Sequence, residues 1–87
     1  MPEKLILNDG TEFAGHAIEV NGILWVYADA MSLGEGYELL GDPAKTRIIT
    51  ADEYGAVTAY TAYTHLFSLQ EESGGRLSAG LRKEAEG

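Results

Sequence analysis

The chain has 87 residues, 14 acidic against six basic side chains for a formal charge of −8, 45% hydrophobic and 23% charged residues, and no cysteine. That length holds a single domain with a modest core, since a chain of this size buries only roughly 60–65% of its unfolded surface. The composition excludes a disordered chain, the lack of thiols excludes disulfides and cysteine–metal sites, and the negative field opposes phosphate backbones, so no nucleic-acid partner is expected.

The opening residues Met-Pro-Glu-Lys-Leu-Ile-Leu contain an apolar run of three. That is too short for a signal-peptide core or a membrane span, so a soluble protein in the cytoplasm is expected, with no membrane partner. Lys4 to Leu7 reads as a first strand. Asn8-Asp9-Gly10 then supplies hairpin chemistry, because these residues tolerate the positive φ of tight turns. Thr11 to Val20 reads as a second strand, in which Gly15 marks a bulge or a close backbone approach. Asn21-Gly22 is a cleaner hairpin signal, leading to a third strand over Ile23 to Ala28. The first third of the chain is expected to form an antiparallel meander.

From Ser32 to Gly41 the period changes. Ser32 and Glu35 match a capping box, in which each side chain can satisfy the other residue's backbone N–H. Leu33, Tyr37 and Leu40 share one face of the resulting short helix, and Gly41 stands at its C-terminus. Gly34 and Gly36 cost about 1 kcal/mol each against alanine, so this helix should depend on docking to the sheet, with the glycines allowing close packing. Asp42-Pro43 suits a cap and first position of a further short turn. Arg47 to Thr50 reads as a fourth strand and Asp52 to Gly55 as a turn. The stretch Ala56 to Leu69 forms a fifth strand, Ser73-Gly74-Gly75 a turn, and Arg76 to Arg82 a sixth strand. The ordered core is expected over about 4–82, with 83–87 a frayed tail.

The fifth stretch, "AVTAYTAYTHLFSL", splits by alternation into two faces. Val57, Ala59, Thr61, Tyr63, His65, Phe67 and Leu69 form the more apolar one, which places Tyr63 inward and Tyr60 outward. Fourteen residues at about 3.3 Å each would span roughly 46 Å. A domain of this size has a radius of gyration near ~12 Å. A bend or bulge is therefore expected around Tyr63–His65, and a single bulge would turn Leu66 inward and Phe67 outward.

No constellation for catalysis appears. His16 and His65 stand far apart and belong to no HExxH pattern or spaced cluster with carboxylates. Ser32 and Ser68 lack the GxSxG context of a nucleophile elbow. "GEGYELLG" lacks the spacing of a phosphate loop, and Asp9, Glu12, Asp52 and Glu53 do not form the ladder of a calcium loop. No catalytic, cofactor-binding or metal residue is assigned, and no enzyme activity, cofactor or small-molecule substrate is expected. The aromatic residues point elsewhere. Tyr and Trp are enriched at protein interfaces, because each has an apolar body and a polar tip. Trp25, Tyr27, Tyr60, Tyr63 and His65 are the candidate interaction surface. In the third strand Ile23, Trp25 and Tyr27 share one face while Leu24, Val26 and Ala28 share the other, so both faces need cover. The helix can cover one. The other requires either the sheet folding over itself or a partner chain.

The segments "LILNDGTEF", "ELLGDPAKTRII" and "YTHLFSLQEESGGRLSAGLRK" resemble a group of small proteins of phages and prophages in Gram-positive gut bacteria, often encoded near tail or other structural genes. The shared pattern is an LxxGT opening, a central DPxKT, a YxxL element and a closing GxLxxxL strand. These are turn, helix-stop and strand signals, and the group brings no established activity or site residues. The resemblance implies a phage-related accessory or virion-associated protein that acts by binding.

The sequence thus predicts an α+β domain over residues 1–87: a bent antiparallel sheet of about six strands with one short helix inserted between strands three and four. The expected function is non-catalytic protein–protein interaction with self-association as a homo-oligomer, in the host cytoplasm or incorporated into a virion. The alternative is a small acidic regulator or inhibitor that binds a host protein.

Overall fold

The computed structural model describes residues 3–43 and 46–83. The elements run β1 (Lys4–Ile6), β2 (Glu12–Val20), β3 (Ile23–Ala28), α1 (Leu33–Leu40), β4 (Ile48–Ala51), β5 (Val57–Tyr60), β6 (Tyr63–Glu72), a 3₁₀ turn at Ser73–Gly75, and β7 (Arg76–Lys83). All seven strands join one antiparallel sheet in the order β5-β4-β1-β2-β3-β7-β6. The class is α+β, with the helix between the third and fourth strands as the capping box indicates. Among the described residues no helix is long and apolar enough to cross a membrane.

The strand count is seven because the stretch from Ala56 to Leu69 divides. It breaks at the turn Thr61–Ala62 into β5 and β6. These two strands are neighbours in the chain yet lie at opposite ends of the sheet. Two residues can bridge the ends only if the sheet curls until its edges meet. Tyr60 and Tyr63 flank that corner with ring centroids 6.1 Å apart in an edge-to-face pair. The radius of gyration, 11.9 Å, is that of an ordinary compact domain of this length. Irregularities between Tyr63 and His65 and between Leu66 and Ser68 bend β6 further. Their result is that Leu66 and Leu69 pack against the core while Phe67 is exposed.

Strand β2 serves two half-sheets. Its first residues, Glu12 to Ala14, pair with β1, and Gly15 to Val20 pair with β3. Gly15 sits at the change of partner, where a Cβ would lie 2.2 Å from the Tyr27 carbonyl oxygen. Only glycine lets the two backbones approach this closely. The β2–β3 hairpin turns on Asn21 and Gly22, both with positive φ (52° and 80°), as a tight two-residue turn requires.

The core fills the curl. Leu5, Leu7, Leu24, Val26, Leu40, Ile48, Tyr63, Ala79 and Leu81 form its main cluster. Ala28, Met31 and Leu77 form a smaller one. Each fully buried leucine contributes about 1.5–3 kcal/mol through removal from water. The helix docks on β6 and β7. Gly36 makes this possible: a Cβ there would meet Leu77 at 2.6 Å and Leu69 at 3.0 Å. Gly34, in contrast, faces open space.

The capping box is formed. The Ser32 hydroxyl accepts from the Glu35 backbone N–H at 3.2 Å, and the Glu35 carboxylate accepts from the Ser32 N–H at 3.4 Å. From across the fold, the Glu71 carboxylate accepts from Leu33 N at 3.1 Å, adding a negative charge at the same helix end. Ser32→Ala should therefore cost about 1 kcal/mol in urea unfolding. At the other end Thr46 is fully buried, its hydroxyl 3.1 Å from the Leu40 carbonyl and 2.8 Å from that of Asp42. The Thr46 N–H also donates to the Asp42 carbonyl at 3.1 Å. Ala44 and Lys45, within the expected turn after Asp42-Pro43, lie outside the described residues. Of the expected tail, Lys83 ends β7 and 84–87 lie outside the described residues.

Candidate protein-interaction surface

In an antiparallel sheet, residues directly opposite one another share a face. Across β2, β3, β7 and β6 the register therefore defines rows. Glu19, Leu24, Leu81 and Leu66 form one row and Ala17, Val26, Ala79 and Leu69 another, both on the core side. The alternate rows look outward. These are His16–Tyr27–Ser78–Gln70, Ile18–Trp25–Gly80–Ser68 and Val20–Ile23–Arg82–His65. The helix cannot reach this outward face, because it packs through Gly36 onto Leu77 and Leu69 on the core side.

The outward face is unusually apolar for an uncovered surface. Ile18 is 52% exposed, Val20 43%, Phe67 41% and Tyr27 38%, with Trp25 and Ile23 half-buried among them. Gly80 builds its centre. A Cβ there would lie 2.9 Å from both the Trp25 and the Phe67 rings, so the missing side chain lets those rings lie across β7. They meet edge to face at 5.8 Å. The Arg82 guanidinium lies 5.0 Å from the centre of the Phe67 ring, a cation–π contact. On the far side of the face the His16 ring stacks on Tyr27 at 5.0 Å. Isolated exposed apolar residues are ordinary on a protein surface, but a contiguous patch marks an interaction site.

The charge on this face differs from that of the molecule as a whole. The register brings Arg76, Arg82, His16 and His65 to it, with Glu72 directly opposite Arg76 and Asp29, just past the end of β3, beside His16 and Arg76. Glu72 accepts a hydrogen bond from the Ser78 hydroxyl at 3.0 Å. Among the described residues, two arginines and two carboxylates thus balance around this face, in a chain of formal charge −8.

The structure separates the five residues singled out from the sequence. Trp25, Tyr27 and His65 lie on the outward face, with the Thr64 hydroxyl 3.2 Å from His65 Nδ1. Tyr60 and Tyr63 do not join them. Tyr63 is 7% exposed within the core, with Lys83 Nζ 5.6 Å from its ring, and Tyr60 is half-buried against the same cluster. These two rings close the curl. Ile18, Val20 and Phe67 complete the face but stand outside the surface singled out from the sequence, although Phe67 takes the outward position expected of it beyond a bulge. Ile18 and Val20 carry a usable signal, because the Asn21–Gly22 turn sets them opposite Trp25 and Ile23.

For chemistry, the face offers less. His16 lines an open depression of about 340 Å³ with Tyr27, Asp29, Glu72, Ser73 and Arg76. Its members are exposed, so their charges are solvated. His65 lies on β6, three strands away, at least about 14 Å by strand spacing, so the two imidazoles cannot act on one bond. Among the described residues no group of three or more His, Asp or Glu side chains is placed to hold a metal ion.

No protein-family model, curated protein or solved structure matches the chain. The chemistry of the face itself therefore carries the functional assignment.

Proposed function

We propose that the protein is a non-catalytic protein–protein interaction module that self-associates through the outward face of β2, β3, β7 and β6. The carrying observation is the contiguous apolar patch of Ile18, Val20, Ile23, Trp25, Tyr27 and Phe67 on a sheet face that the chain's own helix leaves uncovered. Two copies can bury these residues at no cost in unpaired backbone groups, because the sheet's hydrogen bonds run within its plane. Aromatic side chains at the centre and polar groups at the margin match the anatomy of protein interfaces.

The resemblance of the LxxGT, DPxKT, YxxL and GxLxxxL segments to phage and prophage proteins supports an accessory or virion-associated role. The protein would act in the host cytoplasm or within the particle. Light scattering of the purified chain tests self-association. A mass above that of one chain, falling on dilution, is expected, and a single-chain mass at every concentration would reject the reading.

A further inference from the structure

The β6–β7 hairpin is joined to the other described elements by one link, the Thr61–Ala62 corner, because all of them precede it in the chain. The hairpin is paired within itself from Tyr63 to Lys83. Everything else that holds it is non-covalent. Strand β7 pairs with β3 from Ile23–Arg82 to Ala28–Leu77. Gly36 of the helix receives Leu77 and Leu69, and the Glu71 carboxylate accepts from Leu33 N.

This link differs from the other turns between strands. Those turns hold a glycine of positive φ, at Gly10, Gly22, Gly55 and Gly74. Each also has a carboxylate bonded across it: Asp9 to Thr11 N, Glu19 to Gly22 N, Asp52 to Tyr54 N, and Glu72 to the Ser78 hydroxyl. Thr61 and Ala62 have no positive φ, and among the described residues no side-chain hydrogen bond spans them. The β-branched Thr61 favours extended chain, and no turn-forming residue opposes it. What holds the corner is the Tyr60–Tyr63 ring pair. A short hinge without turn chemistry, leading into a self-paired hairpin, suits exchange of that hairpin between copies.

We infer that two copies of the chain exchange their β6–β7 hairpins. The Thr61–Ala62 corner opens into extended chain. Strand β7 of each copy then pairs with β3 of the other, in the register it holds within one chain. The occupant is a second copy's hairpin because the site is shaped for that sequence: Gly36 leaves room for Leu77 and Leu69, and Val26 lies opposite Ala79. The exchange restores the contacts outside the corner and closes at a two-fold dimer. It stands apart from the self-association reading above, since it uses the β3 edge and the core and leaves the outward face free. Each half of the dimer rebuilds that face from β2 and β3 of one copy and β7 and β6 of the other.

A cysteine pair tests this in a chain that has no cysteine of its own. Val26 and Ala79 stand directly opposite on β3 and β7, each 1% exposed on the core side and out of reach of contact between outward faces. The Val26→Cys, Ala79→Cys variant is unfolded, refolded under reductant at high concentration, separated by size exclusion and then oxidised with diamide. Thermal melting checks that it folds. In the dimer peak the disulfide is expected between chains, giving a covalent dimer in denaturant that reductant splits. A dimer peak that separates into single, internally linked chains would overturn the exchange and leave the outward face as the interface.

Hinge variants test it without cysteines. Inserting Gly-Ser-Gly between Thr61 and Ala62 eases the corner and should lower the refolded dimer fraction about tenfold or more. Deleting Thr61 and Ala62 removes the corner and should leave a dimer at every concentration. A dimer fraction that the insertion leaves unchanged would overturn the exchange. In Ile18→Glu, which alters the outward face alone, the refolded dimer should persist on dilution, because it separates only when β7 leaves β3. Loss of that dimer in Ile18→Glu would overturn the exchange in favour of the face, and a wild type that refolds only as a monomer would overturn both.

Discussion

Gly15→Ala is expected to cost at least about 3 kcal/mol, at or beyond the upper end of overpacking changes. The added methyl would lie 2.2 Å from the Tyr27 carbonyl oxygen and 3.1 Å from the Ala28 Cα. Both are backbone atoms, so no side chain can swing aside. Gly15 is also where β2 leaves β1 and takes up β3. The Asp29 N–H donates to the Ala14 carbonyl at 3.0 Å on one side, and the Gly15 N–H donates to the Glu3 carbonyl at 3.4 Å on the other. Relief would require β2 and β3 to part at the point that joins the two half-sheets. A domain of this size has roughly 4–13 kcal/mol of stability in all, so the loss should show as a large fall in the urea midpoint. A midpoint within about 0.5 kcal/mol of wild type would mean that the two strands can part there without cost.

The outward face should respond in the opposite way. Ile18→Glu places a carboxylate at the middle of the patch, on a residue already 52% exposed. Folding stability should change by no more than about 0.5 kcal/mol, as for most surface substitutions. Association should weaken about 100-fold or more, because an unpaired charge would be buried at the contact. Leu24, fully buried and one strand away on the core side, provides the contrast. Leu24→Ala should cost about 2–5 kcal/mol in stability, with the patch itself unaltered. The paired results separate the two faces of one sheet. Loss of stability in Ile18→Glu, with association unchanged, would place the interface elsewhere.

Where turns and caps are written in side chains, the fold is legible in the residues themselves. Asn21-Gly22 and the Ser32–Glu35 box are local devices whose chemistry leaves few alternatives. The helix and the meander before it follow from them. The stretch from Ala56 to Leu69 is different. Its corner at Thr61–Ala62 contains no Gly, Pro, Asn or Asp, so nothing local announces it. What breaks the strand is tertiary: the sheet curls, and the Tyr60–Tyr63 pair closes its ends. Excess length shows that a bend is required but points to Tyr63–His65, where a register irregularity lies, and not to the turn just before.

The same cause governs the site. Trp25 and Tyr27 lie on a strand of regular alternation, so their common face can be read directly. Phe67 lies in the irregularity between Leu66 and Ser68, which turns it away from the face that alternation assigns. Tyr60 and Tyr63 carry the side-chain chemistry of an interface, but their positions at the corner commit them to the core. The gathering of Arg76, Arg82, His16 and His65 on one face depends on the pairing of strands distant in the chain, which composition cannot show.

Trp25 gives a direct test of the central claim, because it is the single tryptophan of the chain and stands half-buried within the proposed interface. Its fluorescence, quenched by acrylamide across a dilution series, reports the exposure of that face alone. Quenching is predicted to fall as concentration rises, in step with the mass measured by sedimentation. Quenching that stays constant while the mass increases would contradict the outward face as the site of self-association.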